Sequence, residues 1–289
     1  MKSNVIYQTT KDRDFTAKEA IKSDYVEAYK FSPCGELDKR KLGFVPNIID
    51  GEYVSEVNVE GNSFTAVTVR IQTKSPEKYL IDQLINEKRV IYMVDSDFKE
   101  PEKSLVKEWR EEATNQIMKA TLPKEPKDYV VAFRNDGVVF VETPSSKIAE
   151  DVLALIRKAI GSLPVVPVET DKPVTDLMDN MVQEKESSEF TLGNKAKLED
   201  DEGIAHALSK GSLYASDAPS YVKEGMFVKE LELVYDGVTT FTLKDDVSLG
   251  GIKFDKGMFE EDSTDAGSFL IKLDEVNKVV NKLLSRLSD

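Results

Sequence analysis

The two residue types that most often carry chemistry occur once each in this sequence, as Cys34 and His206. A zinc centre takes three or four Cys, His or carboxylate ligands, so neither can found one alone. Cys34, between Pro33 and Gly35, reads as a small apolar residue in a tight turn rather than a reactive thiol. His206, between Ala205 and Ala207, reads as structural rather than as a general base. No glycine loop followed by Lys-Ser/Thr is present to cradle phosphates. The run Glu199-Asp-Asp-Glu202 could supply carboxylates to the Mg²⁺ of a nuclease, since two-metal phosphodiester cleavage needs converging acids. Consecutive side chains point in different directions, however, so a solvated acidic loop is the simpler reading, and Asp95 and Asp97 are read the same way. The expectation is a protein that is not an enzyme, with no catalytic residue, no metal and no cofactor.

Cations are better supplied. Lys39, Arg40 and Lys41 follow Asp38 in a loop, Arg70 and Lys74 are four apart in an extended run and so share a face, and Arg157 and Lys158 end a helix. Phosphate recognition that ignores base identity needs only such cations gathered on one surface. A net charge of −14 speaks against nucleic-acid binding if taken as an average. The average conceals an asymmetry: residues 1–170 hold 25 Lys and Arg against 28 Asp and Glu, and residues 171–289 hold 14 against 25. A DNA-binding surface would therefore be local, with the acidic remainder turned to solvent.

The elements that must position these cations follow from periodicity. In Ser146 to Ile160, Ala149, Val152, Leu153, Ile156, Ala159 and Ile160 fall on one helical face, with Glu150 and Asp151 in the first turn, Arg157 and Lys158 in the last, and Gly161 as the stop. Leu163 to Val168 is an apolar run held extended by two prolines, suited to an edge strand or a connector rather than a central strand. Asn4 to Thr9 predicts a strand, Thr16-Ala-Lys-Glu19 a capping box opening a helix that carries Ala20, Ile21, Tyr25 and Ala28, and Tyr53 to Val59 with Phe64 to Gln72 a hairpin. Ser75-Pro-Glu predicts a helix with Leu80, Ile81, Leu84 and Ile85 inside, and Glu102 to Ala120 a second, with Leu105, Trp109, Ala113 and Ile117 at steps of four. Their narrow stripes suit a helical arm. Hairpins are expected across Asn135-Asp-Gly137 and Asp236-Gly237. Residues 169–203 read as a polar connector or a loosely packed layer with a weak helix from Val174 to Val182, Ser268 to Leu273 as a short strand, and Asp274 as the cap of a final helix.

The fold class expected is α+β, with antiparallel sheets, packed helices, a projecting helical arm and a C-terminal α+β unit. Residues 1–75 with 127–168 would form a central domain, 76–126 the arm and 169–289 a base domain. No window approaches the roughly 18 apolar residues that span a bilayer, the N-terminus lacks the apolar core of a secretory signal, and one cysteine precludes an internal disulfide, so a cytoplasmic protein is expected. In the last helix Leu283, Leu284 and Leu287 extend a broad apolar stripe near a chain end and are read as a permanent interface.

The run Ala149 to Pro167, with Phe31-Ser-Pro-Cys-Gly35 and Lys41-Leu-Gly-Phe-Val-Pro46, resembles the recombination-associated RdgC family, and the order of elements extends the likeness over nearly the whole chain. That resemblance implies a homodimer closed into a ring with a basic hole that passes double-stranded DNA with little sequence preference, and that restrains the RecA recombinase by occupying DNA. It implies nucleoid association. Lys41, Arg70, Lys74, Arg157, Lys158 and Lys210 fall where family members carry basic residues, while Lys39 and Arg40 lie outside that pattern and extend the cluster. The family closes one side of its ring through helical arms bearing an aromatic after a Leu-Pro. Leu122-Pro-Lys-Glu-Pro126 lacks it, which leaves Pro126 or Trp109 as the expected contact, and Gly211 follows Lys210 where a polar side chain can stand. Two other readings remain at this point: a metal-dependent DNA exonuclease, and an acidic DNA mimic that binds a DNA-processing enzyme.

Overall fold

The computed structural model describes residues 1–10, 15–184, 189–209, 211–259 and 263–288, and the fold is α+β. Along the chain, β1 (Val5–Thr9) leads to two short helices, α1 (Ala17–Ala20) and α2 (Ser23–Glu27). The helix expected from Thr16 is thus interrupted: Ile21 is extended, and Thr16 makes no side-chain cap. β2 (Arg40–Val45), β3 (Val54–Val59) and β4 (Asn62–Thr73) follow, with β3 and β4 paired antiparallel across Glu60 and Gly61, whose φ angles are both positive as a tight hairpin turn demands. α3 (Lys78–Asp95) begins after Glu77 rather than at Ser75, and α4 (Lys103–Ala120) returns alongside it. Then come β5 (Lys127–Arg134), β6 (Val138–Val141), α5 (Ser146–Ile160) and β7 (Val165–Pro167). The remainder comprises α6 (Val174–Glu184), β8 (Phe190–Glu199), β9 (Ala205–Leu208), α7 (Ala218–Lys223), β10 (Phe227–Tyr235), β11 (Thr239–Lys244), β12 (Leu249–Phe254) and α8 (Asp265–Ser288).

The chain divides into two compact units, one of residues 1–28, 46–68 and 129–289, the other of residues 29–45 and 69–128. In the larger unit the strand order is β3, β4, β5, β6, β1, β7, and a second antiparallel sheet runs β12, β11, β10, β8, β9. Backbone hydrogen bonds between Asn4 and Leu249, and from Ile252 to Lys2, link the two sheets. One hydrophobic cluster joins Ile6, Phe64 and Phe140 of the first sheet to Leu198, Leu231 and Phe241 of the second and to Val276, Val280 and Leu283 of α8. The central and base domains expected from the sequence therefore share one core. Among the described residues β7 pairs only with β1, at the sheet edge, where Pro167 costs no ladder bond.

Three expectations fail here for physical reasons. Ser268 to Leu273 is helical, because Phe269, Leu273, Val276 and Val280 repeat on a helical face that α8 buries, and Asp274 lies inside that helix rather than capping it. Of the two readings of residues 169–203 the connector fails: β8 pairs with both β10 and β9, and Phe190 and Leu198 are core. Leu283 and Leu287 are fully buried by the chain itself, and Leu284 packs partly buried against the same core, so the leucines have a core to enter and do not present a surface.

In the smaller unit β2 lies beside the end of β4, with the start of β5 on the other side of that strand. α3 and α4 pack through Ile81, Ile85 and Ala113, with Leu84, Val106 and Ile117 around them. Tyr92 and Trp109 meet edge to face at 5.8 Å, and Lys88–Glu112 and Arg110–Asp82 pair across the helices. One face of α3 is left uncovered: Tyr79, Val90, Ile91 and Val94 are each more than 60% exposed, and Phe98 just beyond the helix is 75% exposed.

Candidate nucleic-acid interface

Several side chains of the predicted cationic set in the smaller unit gather around the end of β4, and their states differ. Arg70 donates from Nε and Nη2 to the two carboxylate oxygens of Asp128, at 2.6 and 2.7 Å, and its guanidinium lies 5.8 Å from the Phe31 ring centroid. The Asp128 hydrogen bonds raise the guanidinium pKa against the opposing effect of burial. Lys41 sits 3.4 Å from Asp38. The Gly35 N–H, ahead of Lys41 and Lys74, holds the Asp38 carboxyl below its ordinary value despite some desolvation.

Lys74 corrects the sequence reading. It is 6% exposed, and Nζ donates to the carbonyls of Gly35 (3.3 Å) and Glu36 (2.9 Å), so the ammonium closes the 31–36 loop instead of facing solvent. Spacing alone places Arg70 and Lys74 on one face; the carbonyls that capture Lys74 lie 39 and 38 residues away. Gly43 explains how that loop comes so close: a Cβ there would lie 2.3 Å from the Phe31 Cα, so the backbones can touch only at glycine. Lys39 is exposed, and Arg40 is half-buried at the start of β2.

In the larger unit α5 places Arg157 and Lys158, both exposed, in its last turn, where cations complement the helix dipole. The helix is fixed by Ala149, Val152, Leu153 and Ile156, all buried, by the Ser145 cap that accepts from the Ile148 N–H, and by Gly161 at φ 84°. Tyr7 of β1 donates to Glu150 at 2.8 Å, and burial followed by that carboxylate drives the phenol pKa up. Lys210, the last predicted cation, lies outside the described residues. Of the two residues expected to make the arm's contact, Trp109 is half-buried against Tyr92 and Pro126 is half-buried before β5.

Among the described residues no group of three or more His, Cys, Asp or Glu side chains could hold a metal ion. Asp200 accepts from the N–H groups of Glu202 and Ile204, which makes it the organiser of a turn. His206 stacks on Tyr221 at 4.9 Å on the exposed strand β9, and the backbone N–H of Cys34 donates to the Gln72 side-chain carbonyl oxygen. A cavity of about 190 Å³ beside Thr9, Ser63, Thr65 and Arg134 falls below the roughly 300 Å³ at which small-molecule sites begin. No helix among the described residues is long and apolar enough to cross a membrane. Two features went unread in the sequence: Asp128 as the partner of Arg70, and the open face of α3. The first has no local signal, whereas the second was visible as Val90, Ile91 and Val94 outside the stripe that packs on α4.

The family model described as "Putative exonuclease, RdgC" matches residues 1–289. A protein named Recombination-associated protein RdgC from Yersinia enterocolitica is 27% identical over 269 residues, which is 90% of this chain and 85% of its own. One of the same name from Salmonella typhimurium is 26% identical over 261 residues, 88% of this chain and 83% of its own.

Proposed function

This chain belongs to the RdgC family, and from that premise we propose that it binds double-stranded DNA without sequence preference, as a homodimer closed around the duplex, and modulates homologous recombination by limiting access of the RecA recombinase or of nucleases. The observation that carries the reading is the placement of exposed cations at the end of α5 and beside the end of β4, on a chain whose acidic surplus is concentrated after residue 170. Cations fixed on rigid elements can meet a regular phosphate backbone without reading bases.

The test is retardation of two unrelated duplexes at low and high salt, with and without Mg²⁺. Equal affinity, steep salt dependence and intact DNA are expected; no binding at low salt, or progressive shortening of linear DNA, overturns the reading. Arg157→Glu with Lys158→Glu is expected to weaken binding to both duplexes alike and to flatten the log-log salt slope by about 1 unit for each phosphate no longer engaged. An unchanged slope removes α5 from the interface.

For the homodimer, the uncovered face of α3 supports a second copy of this chain as the occupant of the arm. Tyr79, Val90, Ile91 and Val94 form a stripe with an open groove along it, and an apolar helix face of that kind on an otherwise highly charged protein is costly to leave in water. Ile91→Asp with Val94→Asp should lower the mass measured by light scattering while leaving helix content intact. An unchanged mass would exclude α3 from self-association.

A further inference from the structure

The cations nominated around β4 do not all serve the same purpose, and their hydrogen bonds separate them. Arg70 is neutralised by Asp128, Lys41 faces Asp38, and Lys74 is closed over by two carbonyls. Drawing Arg70 onto a phosphate would uncover Asp128 in front of the same polyanion. Lys39 and Lys124 differ from these: both are exposed, and neither forms an ion pair among the described residues.

The backbone sets these two lysines on either side of the end of β4. The Lys74 N–H donates to the Lys39 carbonyl at 2.9 Å, and the Lys124 N–H donates to the Thr73 carbonyl at 2.8 Å. Three chain segments thus run side by side with β4 in the middle, which separates the Lys39 and Lys124 backbones by two strand spacings, about 10 Å. The Gln72 side chain braces both flanks: its carbonyl oxygen accepts from the Cys34 N–H at 2.8 Å, and its amide nitrogen donates to the Lys124 carbonyl at 3.2 Å. Pro123 and Pro126 restrict the backbone about Lys124. Exposed cations on a braced backbone lose less freedom on meeting a ligand than cations on a loose loop.

We propose that Lys39 and Lys124 are the phosphate-contacting residues of the smaller unit, bracketing the end of β4, and that Gln72 and Lys74 are positioning residues that hold the two flanks. The proposal rests on the DNA-binding reading above and assigns its contacts. Glu125, exposed next to Lys124, is then a repulsive neighbour within the site.

The experiment titrates the full chain with a fluorescent duplex of arbitrary sequence across a range of salt concentrations, beside thermal unfolding of each variant. Lys39→Gln with Lys124→Gln should bind more weakly, with a salt slope flatter by about 2 units and an unchanged unfolding temperature. Lys74→Met should unfold at a lower temperature and keep the wild-type slope, and Arg70→Gln with Asp128→Asn should keep it too. Glu125→Gln should bind more tightly. If the wild type binds and the Lys39, Lys124 variant keeps its slope, or the slope falls in Lys74→Met instead, the assignment is overturned while DNA binding stands. If the wild type does not bind at low salt, the reading beneath it fails and the assignment fails with it.

Discussion

Leu283→Asp is expected to unfold the larger unit rather than to dissociate a dimer. The leucine is wholly buried on the inner face of α8, in a cluster that also holds Val279, Val280 and Leu287. Removing a buried leucine side chain costs about 2–5 kcal/mol. The carboxylate that replaces it must either ionise without a partner or be held protonated, and each adds to that cost. The sum is comparable with the roughly 5–15 kcal/mol that stabilises most domains. Circular dichroism should show loss of cooperative melting at temperatures where the wild type is folded. A variant that stays folded and sediments at half the wild-type mass would return this helix to the subunit interface.

Arg134→Met should be the most damaging change among the charged residues. The guanidinium is buried, donates from Nε and Nη2 to Asp136 at 2.7 Å each, and reaches Asn277 and Asn281 of α8 from Nη1 at 2.5 Å. It also lies 5.9 Å from the Phe140 ring centroid. Methionine keeps the apolar stem but leaves the buried Asn277 amide oxygen without this donor, whereas Asn281 and Asp136 are exposed and can turn to water. Leaving a buried acceptor without its partner costs about 1–3 kcal/mol. Burial pushes the Asp136 carboxyl up, yet the Arg134 hydrogen bonds outweigh it and hold the group below its ordinary value. A carboxyl with a depressed folded pKa stabilises above its unfolded pKa and loses that contribution as the pH falls through the folded one. Urea titrations should therefore show the gap between wild type and variant full at neutral pH and narrowing in acid. A gap that is absent at neutral pH would mean that the amides and Asp136 are satisfied without Arg134.

The regions of this fold that could be read in advance are those whose cause is local. α5 declares itself by period, by Arg157 and Lys158 in its last turn and by Gly161, although Glu150 and Asp151 fall beyond its first turn and not in it as expected, and the hairpins at Asn135-Asp-Gly137 and Asp236-Gly237 declare themselves by turn chemistry. β8 does not, because its alternation is broken where Gly193 faces Glu232 across a bulge. The Glu232 side chain occupies the space a Cβ would need, and its carboxylate accepts the Asn194 N–H. The start of α8 was misleading because Ser-Phe-Leu-Ile-Lys-Leu273 is rich in residues that suit either period, and only its continuation into Val276 and Val280 decides for helix. Among the cations, residue type and spacing identified where positive charge gathers. Which of those charges remain accessible depended on partners such as Asp128 and the Gly35 carbonyl, dozens of residues distant.

α8 also bears on how the molecule is made. Every element that α8 covers precedes it, so each leaves the ribosome earlier and waits with its apolar side wet. The core around Phe64, Phe140 and Leu231 is completed only when residues 265–288 arrive, so a chain still in synthesis carries apolar surface that the finished one buries.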